Sequence, residues 1–209
     1  MVESAIIAIV AYLIGSINFS VILSKKMAGF DVREKGSGNA GTTNMLRSVG
    51  KKAAAITLVC DILKGVVAIL IAMIMNKIFK DSNGALLVQI AGVAVILGHT
   101  FPIFFKFKGG KGVATSLGVL IMSNWQIGLI CLVFALILII LTQMVSVGSI
   151  AAAILYPVLT LFIPQNYIIP GNYIIYSVVL AVIIVFNHRE NVKRLLSGTE
   201  NRISFKGTK

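Results

Sequence analysis

Charge, acid and cysteine are all scarce in this 209-residue chain. Its two cysteines, Cys60 and Cys131, both lie inside apolar runs, so no disulfide framework is available. Charged residues make up 12%, against about 25% in a typical soluble domain. That proportion cannot cover a water-facing surface. The seven acids are scattered along the chain and offer no cluster for a divalent cation. No metal site and no cofactor is expected. What the chain has instead is apolar: 57% hydrophobic residues and a mean hydropathy of +0.95. It reads as an integral membrane protein, all-α, with one membrane-embedded domain over 1–209.

A helix crosses the hydrocarbon core with about 20 apolar residues. Apolar runs lie at 4–23, 53–76, 84–105, 113–124, 125–142, 148–164 and 172–187. Seven transmembrane helices are predicted, with five as the alternative. Only Met1-Val2-Glu3 precede the first run and Lys25-Lys26 follow it, so an uncleaved span is expected rather than a signal peptide.

Basic side chains fix the orientation. With the N-terminus outside, every Lys and Arg except Lys64, Lys77 and Lys80 falls on 24–52, 106–112 or the tail from 188. All three segments would face the cytoplasm, so the net charge of +12 gathers on one side. The tail ends in a short stretch, 203–209, expected to be mobile. Trp125 and the aromatics around 164–172, Tyr167 and Tyr173, read as interfacial anchors.

A fourth segment, 142–147, carries no basic residue but would face the same side, and three of the four, 24–52, 106–112 and 142–147, share a design. Gly36-Ser37-Gly38-Asn39-Ala40-Gly41-Thr42-Thr43-Asn44, followed by Arg47, is expected to lead into the second span. Lys108-Gly109-Gly110-Lys111-Gly112 leads into the fourth, and Ser146-Val147-Gly148-Ser149 into the sixth. Each would present a helix N-terminus, whose unpaired N–H groups and partial positive charge bind anions. Glycines let successive amides curl around an anion, Ser, Thr and Asn add donors, and Arg and Lys add full charge. Convergence of three such termini predicts a phosphate site.

Neither glycine loop is a nucleotide loop. Gly36 to Gly41 has the G-x-x-x-x-G spacing, but Thr42 stands where Lys is required, and Lys111 is followed by Gly112. Lys25, Lys26, Lys51 and Lys52 read as orientation signal and anionic-lipid attraction. The basic balance is assigned to the membrane face and the phosphate site, with no nucleic-acid partner. Asp61 and Lys64 share one helix face, which suits a neutralising structural pair as well as a functional one. His99 is open between a helix-end role and chemistry. His188, Arg189 and Asn191 lie within one helical turn at the membrane surface, where they could face phosphate.

Three stretches carry a resemblance. Gly36 to Arg47, Gly98-His99 to Thr115, and His188-Arg-Glu-Asn-Val-Lys-Arg194 are similar to the three signatures of the PlsY family, the bacterial acyl-phosphate:glycerol-3-phosphate acyltransferases. Similarity covers nearly the whole chain, including Gly15-Ser16, Asp61-Ile-Leu-Lys-Gly65 and Ser146. Asn18, where the family often has Pro, and Asn187, where a basic residue is common, are small departures. The resemblance implies transfer of a fatty acyl group from acyl phosphate to the 1-hydroxyl of sn-glycerol 3-phosphate. The products would be lysophosphatidic acid and phosphate.

The H-x-x-x-x-D pair of soluble acyltransferases is absent, since Phe104 follows His99 and Lys193 follows His188 at that spacing. An acyl phosphate is already activated, so positioning and charge stabilisation can carry much of the rate. On this reading Ser37, Arg47, Lys111 and His188 are catalytic, with His188 or a substrate phosphate oxygen as base. Gly36, Gly38, Asn39, Thr43, Asn44, Lys108, Gly109, Gly110, Gly112, Ser146 and Asn191 hold substrate and phosphate. Expected partners are the two substrates, membrane lipid and, on the basic face, the soluble enzyme that makes acyl phosphate. The implied location is the bacterial inner (plasma) membrane, with the site on the cytoplasmic face. A transporter of small organic phosphates is the rival reading.

Overall fold

Aliphatic runs with no water to satisfy their backbone groups close those groups internally as helices. The computed structural model describes residues 2–79, 84–163 and 169–203, and among these there is no strand. The helices are α1 (Val2–Gly15), α2 (Phe19–Ala28), α3 (Thr42–Ser48), α4 (Lys51–Phe79), α5 (Gly84–Thr100), α6 (Val113–Ser123), α7 (Trp125–Thr142), α8 (Val145–Phe162), α9 (Ile174–Asn187) and α10 (Arg189–Leu196).

Each of the seven predicted apolar runs is helical. The count that can cross a membrane unaided is smaller. Five stretches are long and apolar enough: Val2–Ala28, Lys51–Phe79, Gly84–Phe105, Trp125–Thr142 and Val145–Phe162. A sixth arises if α9 and α10, bent by 60°, are taken as one span. With 11 residues, α6 rises only about 16 Å, roughly half the hydrocarbon core.

Two boundaries differ from expectation. The first run breaks at Ser16–Asn18, where the Asn18 side chain accepts from the Val21 amide at 3.2 Å and starts α2 afresh. The first glycine loop does not feed α4 directly. Gly41 caps the short α3, and Gly50, at φ 118°, separates it from α4. Ser146 to Ser149 were expected in a loop, but they form the first turns of α8, because the start falls at Met144. The expectations for Lys80, for Tyr167 and for the tail from 204 lie outside the described residues.

The chain divides into two compact units, Met1–Asn124 with Asn166–Asn172, and Trp125–Gln165 with Tyr173–Lys209. In the first, α1 packs on α5 and α4 on α6. Both pairs approach to backbone contact. A Cβ on Gly98 would collide with the Tyr12 carbonyl of α1, and one on Gly118 with the Ile62 carbonyl of α4. Small residues at such crossings let helices gain dispersion energy in lipid, where hydrophobic driving force is absent. In the second unit α8 packs between α7 and α9.

Polarity is inverted relative to a soluble protein. Leu141, Phe162, Ile175 and Val182 are exposed, while Thr57, Asp61, Lys64, His99 and Thr115 are buried. An apolar exterior of this extent is the mark of a lipid-facing surface.

Candidate active site

In the first unit the loop between α2 and α3 is organised by one amide side chain. Asn44, on the first turn of α3, is 1% exposed. Its Nδ2 shares two hydrogens among the carbonyls of Val32, Lys35 and Asn39 at 2.9, 3.0 and 3.0 Å. Its Oδ1 accepts from the Ser37 amide at 2.9 Å. The expected role in substrate contact is therefore reassigned: the Asn44 amide is committed to holding the loop. With Gly36 and Gly38 at φ 59° and 72°, a conformation open to glycine, the chain turns tightly enough for these bonds.

Holding the carbonyls inward leaves amides to spare. No described residue accepts from the amides of Asn39, Ala40, Gly41, Thr42 or Thr43. The Thr42 Oγ1 is also buried with no hydrogen-bond partner among the described residues. Consecutive unpaired N–H groups at a turn entering a helix form an anion-binding concavity. Ser37 is exposed, and Asn39 and Thr43 half-buried, on the same stretch. Arg47 lies in the last turn of α3, away from the anion-attracting N-terminal end, and is exposed.

The second loop, between α5 and α6, folds back on the end of α5. The amides of Gly109 and Gly110 donate to the carbonyls of Thr100 and His99 at 3.0 and 3.1 Å. A Cβ on Gly110 would collide with His99 Nε2 and come within 2.8 Å of the Ala40 carbonyl. Gly110 thus lies between the ring of His99 and the first loop. Gly112, at φ 87°, opens α6 with no side-chain cap. Lys108 is exposed and Lys111 half-buried. Both glycine loops therefore meet within this unit.

Residues the sequence reading assigned to no site tie the loops together. Arg33 Nε and Nη2 donate to Asp31 Oδ1 and Oδ2 at 2.9 and 2.7 Å. Its Nη1 donates to the carbonyls of Phe105 and Lys108 at 2.8 and 3.0 Å. The hydrogen-bonded Arg33 guanidinium holds the Asp31 carboxyl below the ordinary carboxylate range, and the same bond raises Arg33. Beneath the loops, Lys64 Nζ stands 2.8 Å from Asp61 Oδ1, 2.7 Å from His99 Nδ1 and 3.2 Å from the Ile17 carbonyl. This buried group joins α4, α5 and the break between α1 and α2, and through His99 it backs Gly110. Asp61, Lys64 and His99 are thereby placed as scaffold beneath the loops.

In the second unit the sequence-predicted Ser146 and Asn191 come together on a carboxylate. Ser146 Oγ and Asn191 Nδ2 donate to Glu200 Oε1 at 2.9 and 2.7 Å, and Arg194 Nε donates to Oε2 at 2.8 Å. Burial alone would raise the Glu200 carboxyl, but these three donors outweigh it and hold it below the ordinary range. His188, 3% exposed, sits at the 60° bend between α9 and α10. Its Nδ1 lies 2.8 Å from the Ile184 carbonyl. A carbonyl only accepts, so that partner assigns the proton to Nδ1 and makes Nε2 the basic nitrogen.

Asp31, Arg33 and Glu200 were missed by sequence reasoning. The available signal was scarcity itself: in a chain with seven acids, an acid that is buried needs a partner. Among the described residues no group of His, Cys, Asp and Glu could hold a metal ion.

Comparison with known proteins follows the same lines. The family described as glycerol-3-phosphate acyltransferase matches residues 5–198. A glycerol-3-phosphate acyltransferase of Thermoanaerobacter pseudethanolicus is 45% identical over 199 residues, covering 95% of each chain. One of Clostridioides difficile is 41% identical, covering 96% of each. Among solved structures, the chain is similar to PlsY, an integral membrane glycerol 3-phosphate acyltransferase. Its glycerol 3-phosphate form is 38% identical with a TM-score of 0.84 over 96% of each chain. Its lysophosphatidic acid form is 36% identical with a TM-score of 0.82 over 96% of this chain and 95% of that one. On these matches, this chain belongs to the glycerol-3-phosphate acyltransferase family.

Proposed function

We propose that this chain transfers a fatty acyl group from acyl phosphate to the 1-hydroxyl of sn-glycerol 3-phosphate. Acylation of glycerol 3-phosphate to lysophosphatidic acid is the activity of its family, and the solved relatives carry the acceptor in one form and the product in the other. The observation that carries the reading is the run of five amides, 39–43, with no acceptor among the described residues. That is a ready site for a phosphate dianion, and both proposed substrates are phosphorylated.

The hydroxyl oxygen of the acceptor attacks the acyl carbonyl carbon. The bond from that carbon to the phosphate oxygen breaks, and phosphate leaves with the electron pair. The loop amides, Ser37, Arg47 and Lys111 are assigned to holding phosphate and to stabilising charge on the departing group. Gly36, Gly38, Gly109, Gly110 and Gly112 give the backbone access, and Asn39, Thr43 and Lys108 add donors. The hydroxyl proton passes to His188 Nε2 or to a phosphate oxygen, whose second pKa is about 6. Asn191 and Ser146 are proposed as orienting groups, acting through the Glu200 carboxylate they share.

The topology proposed is seven spans in one functional domain, 1–209, with the N-terminus outside and the tail cytoplasmic. That arrangement gathers the basic side chains on the inner face of the bacterial plasma membrane. The same face suits docking of the soluble enzyme that supplies acyl phosphate.

The direct test mixes purified protein, acyl phosphate and glycerol 3-phosphate and follows free phosphate. Release that depends on both substrates supports acyl transfer. No release, with glycerol 3-phosphate uptake into proteoliposomes, replaces it with transport.

A further inference from the structure

The geometry points to Arg33 as a positioning residue that fixes the Lys108–Gly112 loop against the Gly36–Gly41 loop and so sets the affinity for the phosphate of glycerol 3-phosphate. This rests on the reading that these two loops hold substrate phosphate.

Arg33 belongs to the 3₁₀ turn Val32–Glu34, whose Val32 carbonyl is one of the three held by Asn44. Arg33 is therefore part of the first loop's rigid body. From there it reaches over seventy residues along the chain to the carbonyls of Phe105 and Lys108. The Lys108 carbonyl immediately precedes Gly109, and the Gly109 and Gly110 amides are held from the other side by Thr100 and His99. The second loop is thus fixed at four backbone points, two by Arg33 and two by the end of α5.

A shared apolar cluster joins the same parts, with Phe105 packed against a buried group that includes Val32, Ala40 and Met45. Gly110 faces the Ala40 carbonyl, and Ala40 belongs to the run of amides assigned to phosphate. A small rotation of the second loop would therefore move Lys111 relative to those amides. Arg33 needs no contact with substrate to act, since the bonds to Asp31 and to the two carbonyls engage four of its five N–H groups.

Only an arginine fits this position. The planar fork meets the Asp31 carboxylate with one edge and two carbonyls with another nitrogen. A lysine ammonium is a point charge that cannot span both. Asp31 is in turn anchored from its own backbone, as it accepts from the Arg33 amide at 3.0 Å.

The test uses the purified full-length chain in detergent. Arg33→Lys is expected to raise the apparent KM for glycerol 3-phosphate about 10- to 100-fold while kcat changes less than about threefold. Its unfolding midpoint should stay within about 3 °C of the parent. Binding of inorganic phosphate, followed by calorimetry, should weaken by a similar factor. Asp31→Asn combined with Arg33→Gln removes both charges together and should show the same KM effect. An unchanged KM in a folded variant, or a loss confined to kcat, overturns the proposal. So does unfolding of both variants, which would make the pair purely structural. If the parent itself releases no phosphate from acyl phosphate, the acyl-transfer reading fails instead. In that case weaker phosphate binding by Arg33→Lys still supports the clamp, and equal binding overturns it.

Discussion

The two units solve opposite problems with polar side chains. In the first, donors gather carbonyls: Asn44 takes three and Arg33 takes two. With those carbonyls taken up, the amides of residues 39–43 are left with no acceptor among the described residues. In the second, an acceptor gathers donors: the Glu200 carboxylate engages Ser146, Asn191 and Arg194. Ser146 and Asn191 were expected to hold substrate and phosphate, and here they bond to an anion that the chain supplies itself. Similar residue types can thus build an anion site or satisfy one internally, and the difference lies in whether a carboxylate is within reach.

The strongest test of the contrast is to remove cations from the first unit. Lys111→Ala and Arg47→Ala should each lower acyl transfer about 10²- to 10³-fold while thermal unfolding in detergent is unchanged. Full activity in both would end the assignment of phosphate to this unit. Gly110→Ala comes next, because its Cβ meets the His99 ring and the Ala40 carbonyl. Displacing the loop by about an ångström should cost about 10²-fold in kcat/KM. A normal value would show that the loops tolerate misalignment.

Asn44→Ala compares the scaffolds themselves. It leaves buried carbonyls and an amide without their partner, at about 3 kcal/mol, or roughly 6–12 °C in unfolding midpoint for a chain of this size. Asn191→Ala should cost less, about 1–2 kcal/mol, since Glu200 keeps Ser146 and Arg194. Equal losses would erase the distinction between the units. Acid should weaken both. Asp31 and Glu200 each sit below the ordinary carboxylate range. The stability they contribute is complete above the unfolded carboxylate value and is lost as pH falls through the folded one. Glu200→Gln should flatten the second unit's share of that acid limb, read by melts between about pH 6 and about pH 3. The smallest effect is Lys25→Ala. Its ammonium is 3.7 Å from Asp31 and 59% exposed, so less than about 1 kcal/mol is at stake.

Much of the fold was legible because the bilayer forces it. Aliphatic runs had to be helices, and each of the seven is mainly helical, while five or six stretches are long and apolar enough to cross a membrane. Their ends were less legible, since capping turns on single residues: Asn18 restarts a helix inside an apolar run, and Met144 starts α8 ahead of its serines. Of the site, the glycine loops were visible as motifs. The division of labour within them was not. Nothing in the string Gly-Ser-Gly-Asn-Ala-Gly-Thr-Thr-Asn says that its last Asn binds the loop rather than the ligand. That depends on a carboxamide one turn into a helix facing back on the loop it follows. Arg33 and Glu200 were hidden for a similar reason, as their partners lie far along the chain or in elements whose direction only packing decides.

The backbone contacts at Gly98 and Gly118 have a consequence for how this chain can vary. Its outward side chains meet disordered hydrocarbon, so a saturation library should accept almost any aliphatic residue at Leu141, Ile175 or Val182. At the two glycines even one methyl group must push whole helices apart, and the library should return nothing but glycine. The tightest sequence constraint outside the loops would then fall on residues that perform no chemistry and carry no side chain.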